Sequence, residues 1–109
     1  MQMKIQGATT VTPRGQRATK HLAGLAQRAR LARNLTQAEL AERARVSPGS
    51  IHRLERAEPG VALWVWLNAM EALGLLGLLE DLRDPATEAM LAAAASKRVG
   101  SARAPDLDF

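Results

Sequence analysis

Ser47, Ser50, His52, Arg53 and Arg56 fall within ten residues of one another. Hydroxyls and guanidinium groups at this density offer hydrogen bonds and positive charge to a polyanion. They do not suggest bond-breaking chemistry. The chain contains no nucleophile–base pairing, no glycine-rich phosphate loop and no metal-spaced cluster, and it has no cysteine. His52 has only one histidine companion, His21, far away in sequence. Glu39 and Glu42 share one helical stretch, where capping and solvation explain them. The expectation is a binding protein without catalytic residues, metal or cofactor.

The elements that position these side chains are marked by local signals. Ser47 before Pro48 reads as an N-cap followed by proline at the first helical position, where its missing N–H costs nothing and its φ is already set. Val46 and Ile51 form a hydrophobic staple around that start. Gly49 is tolerated in the first turn, where a missing side chain lets the backbone approach a ligand closely. The preceding helix opens on Thr36-Gln37-Ala38-Glu39, a capping box stapled by Leu35 and Leu40. It runs to about residue 44, burying Leu40, Ala41 and Ala44. Upstream, residues 9–15 read as an entry loop. A helix is predicted over 16–33, with Leu22, Leu25, Ala29 and Ala32 at helical spacing. Downstream, a helix over 61–75 turns Leu63, Trp66, Met70 and Leu73 inward, and a short one covers about 75–83. Residues 86–96 are weakly helical, and 97–109 are expected to be disordered. Residues 1–5 are the only candidate strand, and a weak one. The fold class is all-α: an arm over 1–15, a five-helix domain over 16–85 and an extension over 86–109.

Composition supports a binding role. Of the net +4, residues 1–59 carry eleven Lys/Arg against four Glu, or +7, whereas residues 60–96 balance to −4. A basic half points to a polyanion such as nucleic acid, with a scattered solvated surface as the alternative. No apolar run approaches the roughly 18 residues of a membrane span. The first residues lack the apolar core of a secretory signal. A soluble, intracellular protein with no membrane partner is expected.

A capped helix, a short turn and a second capped helix in a basic region make a helix-turn-helix. The stretch "LTQAELAERARVSPGSIHRLERAEPG" resembles the lambda-repressor-like, Xre-type DNA-binding domains, with Leu40, Ala41, Ala44, Val46, Ile51 and Leu54 at the motif's apolar positions. Within that family the "EPGV" connection, the "ALGL" to "DP" close and the tail are similar to the HipB-like group. These are dimeric DNA-binding partners of HipA-type kinase toxins. The resemblance implies a cytoplasmic, nucleoid-associated repressor in a bacterium, binding double-stranded DNA at a palindromic operator as a homodimer, with a HipA-like kinase as partner. A stand-alone Xre-type regulator without a toxin is the alternative, and a module serving protein contacts alone is a third reading.

The resemblance also assigns roles. Gln37 matches a glutamine that contacts phosphate in the family, and Arg30 with Glu55 matches a partly buried pair joining the first and third helices. Ser47, Ser50, Arg53 and His52 face the groove. Arg53 is the best base reader, because a guanidinium pairs bidentately with guanine. Arg28, Arg33, Arg45 and Arg56 are candidates for backbone contacts. Two departures stand out. Arg45 occupies the usual glycine of the turn. Pro48 and Gly49 replace side chains that commonly read bases, so they contribute close backbone approach only. Trp66 is expected in the core. Trp64, Leu76 and Leu79 are expected at a dimer or partner interface, and Leu107 and Phe109 are candidate anchors for the kinase.

Overall fold

The computed structural model describes residues 11–102. These form six helices and no strand: α1 (Pro13–Ala32), α2 (Gln37–Ala44), α3 (Pro48–Glu55), α4 (Leu63–Ala72), α5 (Leu76–Glu80) and α6 (Pro85–Ala102). The weak strand candidate at residues 1–5 lies outside the described residues, as do Leu107 and Phe109.

Helix starts are set by short-range hydrogen bonds. Thr36 Oγ1 accepts from the Glu39 amide at 3.0 Å, and the Glu39 carboxylate accepts from the Thr36 amide at 2.9 Å, completing the capping box. Ser47 Oγ accepts from the Ser50 amide at 3.0 Å, ahead of Pro48. α1 uses the same device. Thr12 caps the Gly15 amide at 2.9 Å and Pro13 takes the first helical position. Residues 13–15 are therefore helical rather than part of an entry loop. The first three helices all end at a residue of positive φ that is not glycine: Asn34 (57°), Arg45 (60°) and Ala57 (61°). A side chain in that region costs roughly 1–2 kcal/mol, which the surrounding packing must offset.

The core gathers Ala26 from α1, Leu40 and Ala41 from α2, Ile51 and Leu54 from α3, and Val65, Ala69 and Leu73 from α4 and its end. Leu40, Ile51, Leu54 and Leu73 are the largest fully buried side chains, each contributing about 1.5–3 kcal/mol by burial. Trp66 packs partly buried against this cluster.

Two helix faces differ from the periodicity reading. α1 buries Ala23, Ala26 and Arg30, whereas Leu22 is exposed, as is Ala32. Small alanines let the neighbouring helices approach, and a paired arginine occupies a position that an apolar template would give to leucine. On α4 the buried residues are Val65, Ala69 and Met70, and Leu63 stands 70% exposed in the first turn. Val65 of the same turn faces the core instead.

The end of the chain also departs from expectation. α6 is continuous to Ala102, so residues 97–102 are helical rather than disordered, and the helix is longer than the weak signal over 86–96 suggested. Its start is fixed by Asp84, whose carboxylate accepts from the Ala86 amide and the Thr87 hydroxyl. An alanine-rich stretch then sustains it by intrinsic propensity. Every residue from Asp81 to Gly100 is exposed. None of the described helices is long and apolar enough to cross a membrane.

Candidate nucleic-acid interface

The first turn of α3 presents a continuous set of polar groups. Ser47 and Ser50 hydroxyls lie 2.9 Å apart, and Arg53 Nη2 donates to Ser50 Oγ at 3.3 Å. A Cβ built at Gly49 would stand 3.5 Å from Arg53 Nη1, so the guanidinium lies back along the first turn over the glycine. Ser47, Pro48, Gly49, His52 and Arg53 are exposed, and Ser50 is half-buried under Arg53. The positive end of the helix dipole and a guanidinium thus face the same solvent. Neither serine hydroxyl is tied into the core; one of the two hydroxyl hydrogens is spent on the Ser47–Ser50 contact, and the other remains available to an incoming acceptor.

Behind this surface sits a buried clamp. Arg30 is 7% exposed and reaches three ways: Nε to Glu55 Oε2 at 2.6 Å, Nη2 to Glu55 Oε1 at 3.0 Å, and Nη1 to the Leu35 carbonyl at 2.8 Å. The bidentate geometry raises the Arg30 pKa, chiefly through its hydrogen bond to Glu55 and against the opposing cost of burial. Glu55 also accepts from Gln37 Nε2 at 2.9 Å. One carboxylate therefore ties the end of α1, the start of α2 and the end of α3 together. Gln37 is half-buried, with one amide hydrogen directed to Glu55 and its position at the first turn of α2 retained.

Arg45 is exposed in the turn between α2 and α3 at φ 60° and ψ 41°, with its amide returned to the Ala41 and Glu42 carbonyls. Its backbone adopts the conformation that glycine would take, and the side chain adds a cation beside α3. Arg56 is exposed and pairs loosely with Glu58 at 3.5 Å, a contact that water and salt screen heavily. Arg33 donates to the Ala29 carbonyl at 2.8 Å, closing the end of its own helix. Arg28 folds back over Gly24, and all four arginines stay accessible.

Two positioning residues were not singled out by sequence reasoning. Asn68 Nδ2 donates to the Ala44 carbonyl at 3.0 Å and so pins the end of α2 to α4. A lone amide within "LWVWLNAM" was the available signal. Gln16 Nε2 donates to the Ala57 carbonyl at 2.9 Å, holding the turn after α3, and no local pattern marks it. Among the residues expected at an interface, Trp64 is 57% exposed, whereas Leu76 and Leu79 are partly buried. Leu63, Leu78 and Leu82 are the more exposed apolar side chains of that region.

Compared with known protein families, residues 21–86 match a helix-turn-helix domain. No curated protein and no solved structure matches the chain.

Proposed function

The chain belongs to the helix-turn-helix domain family, and on that premise we propose that it is a dimeric transcriptional repressor that reads a palindromic operator through α3. The observation that carries this reading is the first turn of α3, where Ser47, Ser50 and Arg53 share one hydrogen-bonded, solvent-facing surface. Arg53 reads a guanine edge in the major groove. Ser50 and Gly49 approach phosphate oxygens or a thymine methyl, Ser47 faces the groove beside them, and Pro48 brings no side-chain donor of its own. His52, Arg45 and Arg56 surround this surface, and Gln37 orients α2 against the DNA backbone. These outer contacts set register without reading sequence. One recognition helix covers about half a site, so a full operator takes two copies with helices roughly 34 Å apart.

Selection of binding sites from random DNA, followed by titration of the enriched site at several salt concentrations, tests the proposal. Enrichment of an inverted repeat, with affinity falling steeply as salt rises, is the expected result. No enrichment and no shift at low salt would leave the domain as a protein-contact module.

The finer assignment is a HipB-like antitoxin that represses its own operon and engages a HipA-type kinase. The "EPGV" connection, the leucine-rich close before Asp84-Pro85 and the basic-then-acidic order of Lys97, Arg98 and Arg103 followed by Asp106 and Asp108 support it. Co-purification with the product of an adjacent kinase reading frame tests this assignment. A gene neighbourhood without a kinase favours the stand-alone regulator.

A further inference from the structure

α6 is an 18-residue helix whose side chains from Pro85 to Gly100 are all exposed, Leu91 and Val99 more than 60% so. Alanine favours the helix locally, but most helical stability in proteins comes from a covered face rather than from propensity. The described residues of its own chain do not cover α6.

The order of residues on one face suggests what does. Glu88, Leu91, Ala95 and Arg98 succeed one another at intervals of three, four and three residues, which is one stripe of an α-helix. The stripe is acidic at its N-terminal end, apolar in the middle and basic at its C-terminal end. Ala92, Ala94 and Val99 flank it, small enough for a second helix to approach closely. Turned end over end about a two-fold axis, this stripe is its own complement. Glu88 meets Arg98 of a second copy, Leu91 meets Ala95, and the same contacts recur on the other side of the axis. Large therefore packs against small and opposite charges meet at both ends. A parallel pairing instead sets Glu88 against Glu88 and Arg98 against Arg98.

We propose that α6 pairs antiparallel with α6 of a second copy of this chain. The inference rests on the reading that the chain works as a two-fold pair, and it assigns to α6 a part of the interface distinct from the DNA-facing helix. Such an isologous contact closes on itself and leaves no unsatisfied edge for further assembly.

The chain has no cysteine, so single cysteines report the pairing in the full-length protein. Leu91→Cys and Ala95→Cys variants, mixed and oxidised, should give a mixed disulfide in clear excess over either variant oxidised alone. Glu88→Arg and Arg98→Glu should each raise the dissociation constant for self-association about tenfold, as two like-charged contacts replace two opposite ones. The double reversal should restore it. Circular dichroism verifies that these exposed substitutions leave the helical content intact. Leu91→Cys or Ala95→Cys cross-linking mainly to itself, or no mixed disulfide, overturns the antiparallel arrangement. Dimerisation unmoved by the charge reversals overturns the role of α6 alone. A wild-type chain that sediments as a monomer at every concentration overturns both this pairing and the dimeric reading.

Discussion

Gln37 and Arg30 share one acceptor, because both donate to the Glu55 carboxylate. The first turn of α2 and the end of α3 are thereby held in a fixed relation by a group that never reaches the surface. Gln37→Ala should weaken binding to operator and random DNA by similar factors, and lower stability by about 1 kcal/mol through the lost hydrogen bond. Binding titrations on both DNAs, with urea unfolding of the same variant, check this. A changed base preference would contradict it.

Glu55→Ala should be far more damaging. It strands the Arg30 guanidinium in a buried site with only the Leu35 carbonyl as partner, at a cost of about 3–5 kcal/mol. Denaturant unfolding measures the loss, and a variant within 1 kcal/mol of wild type, by the median value for surface pairs, would mean that water readily solvates Arg30.

Arg53→Ala should weaken operator binding by about 1–3 kcal/mol and relax specificity at one base pair. The motive is its place on the α3 surface, beside Pro48 and Gly49, which bring no side-chain donors. Equal losses on operator and random DNA would limit Arg53 to phosphate contact.

Arg45→Gly should move stability and binding in opposite directions. Relief of the left-handed backbone raises stability by up to about 1 kcal/mol, while loss of the cation lowers the salt dependence of DNA binding by about one phosphate contact. Thermal unfolding and salt-titrated binding report the two effects separately. An unchanged salt slope would place Arg45 away from the DNA.

Asp84 controls the start of α6. Its pKa is lowered, first by the hydrogen bond from the Thr87 hydroxyl and then by backbone amides. A carboxyl depressed in the folded state stabilises above its unfolded pKa and loses that contribution as pH falls through the folded one. The first turn of α6 should therefore hold from neutral pH down through the ordinary carboxylate range and fray below it. Backbone chemical shifts of residues 85–88, followed down to about pH 2, should show that transition in the wild type and lose it in Asp84→Ala.

The signals that were legible in sequence are local ones. Thr36 with Glu39, and Ser47 with Pro48, satisfy orphan amides within a single turn, so four residues suffice to place each helix start. The same logic applied to Thr12-Pro13 would have begun α1 three residues earlier. Leu40, Ile51 and Leu54 were readable as core because both flanking helices repeat the same apolar spacing. The family resemblance supplied the Arg30–Glu55 pairing, which no local rule contains.

Other features depend on contacts between residues distant in sequence. Periodicity assigned Leu22 to the inner face of α1, yet a charged Arg30 is buried there because Glu55, 25 residues later, arrives to neutralise it. The local pattern cannot distinguish Leu63 from Val65 on α4. Burial falls to the residue facing α2 and α3, and Leu63 is left in water. The sequence by itself therefore determined where the helices of the motif begin and which groups line the first turn of α3, since capping and proline act over three or four residues. The tertiary structure alone decided which faces are covered, because burial is set by what packs against a helix, not by the helix. It likewise brought Gln37, Arg30 and the α3 end onto one carboxylate, and left α6 uncovered by the other described residues.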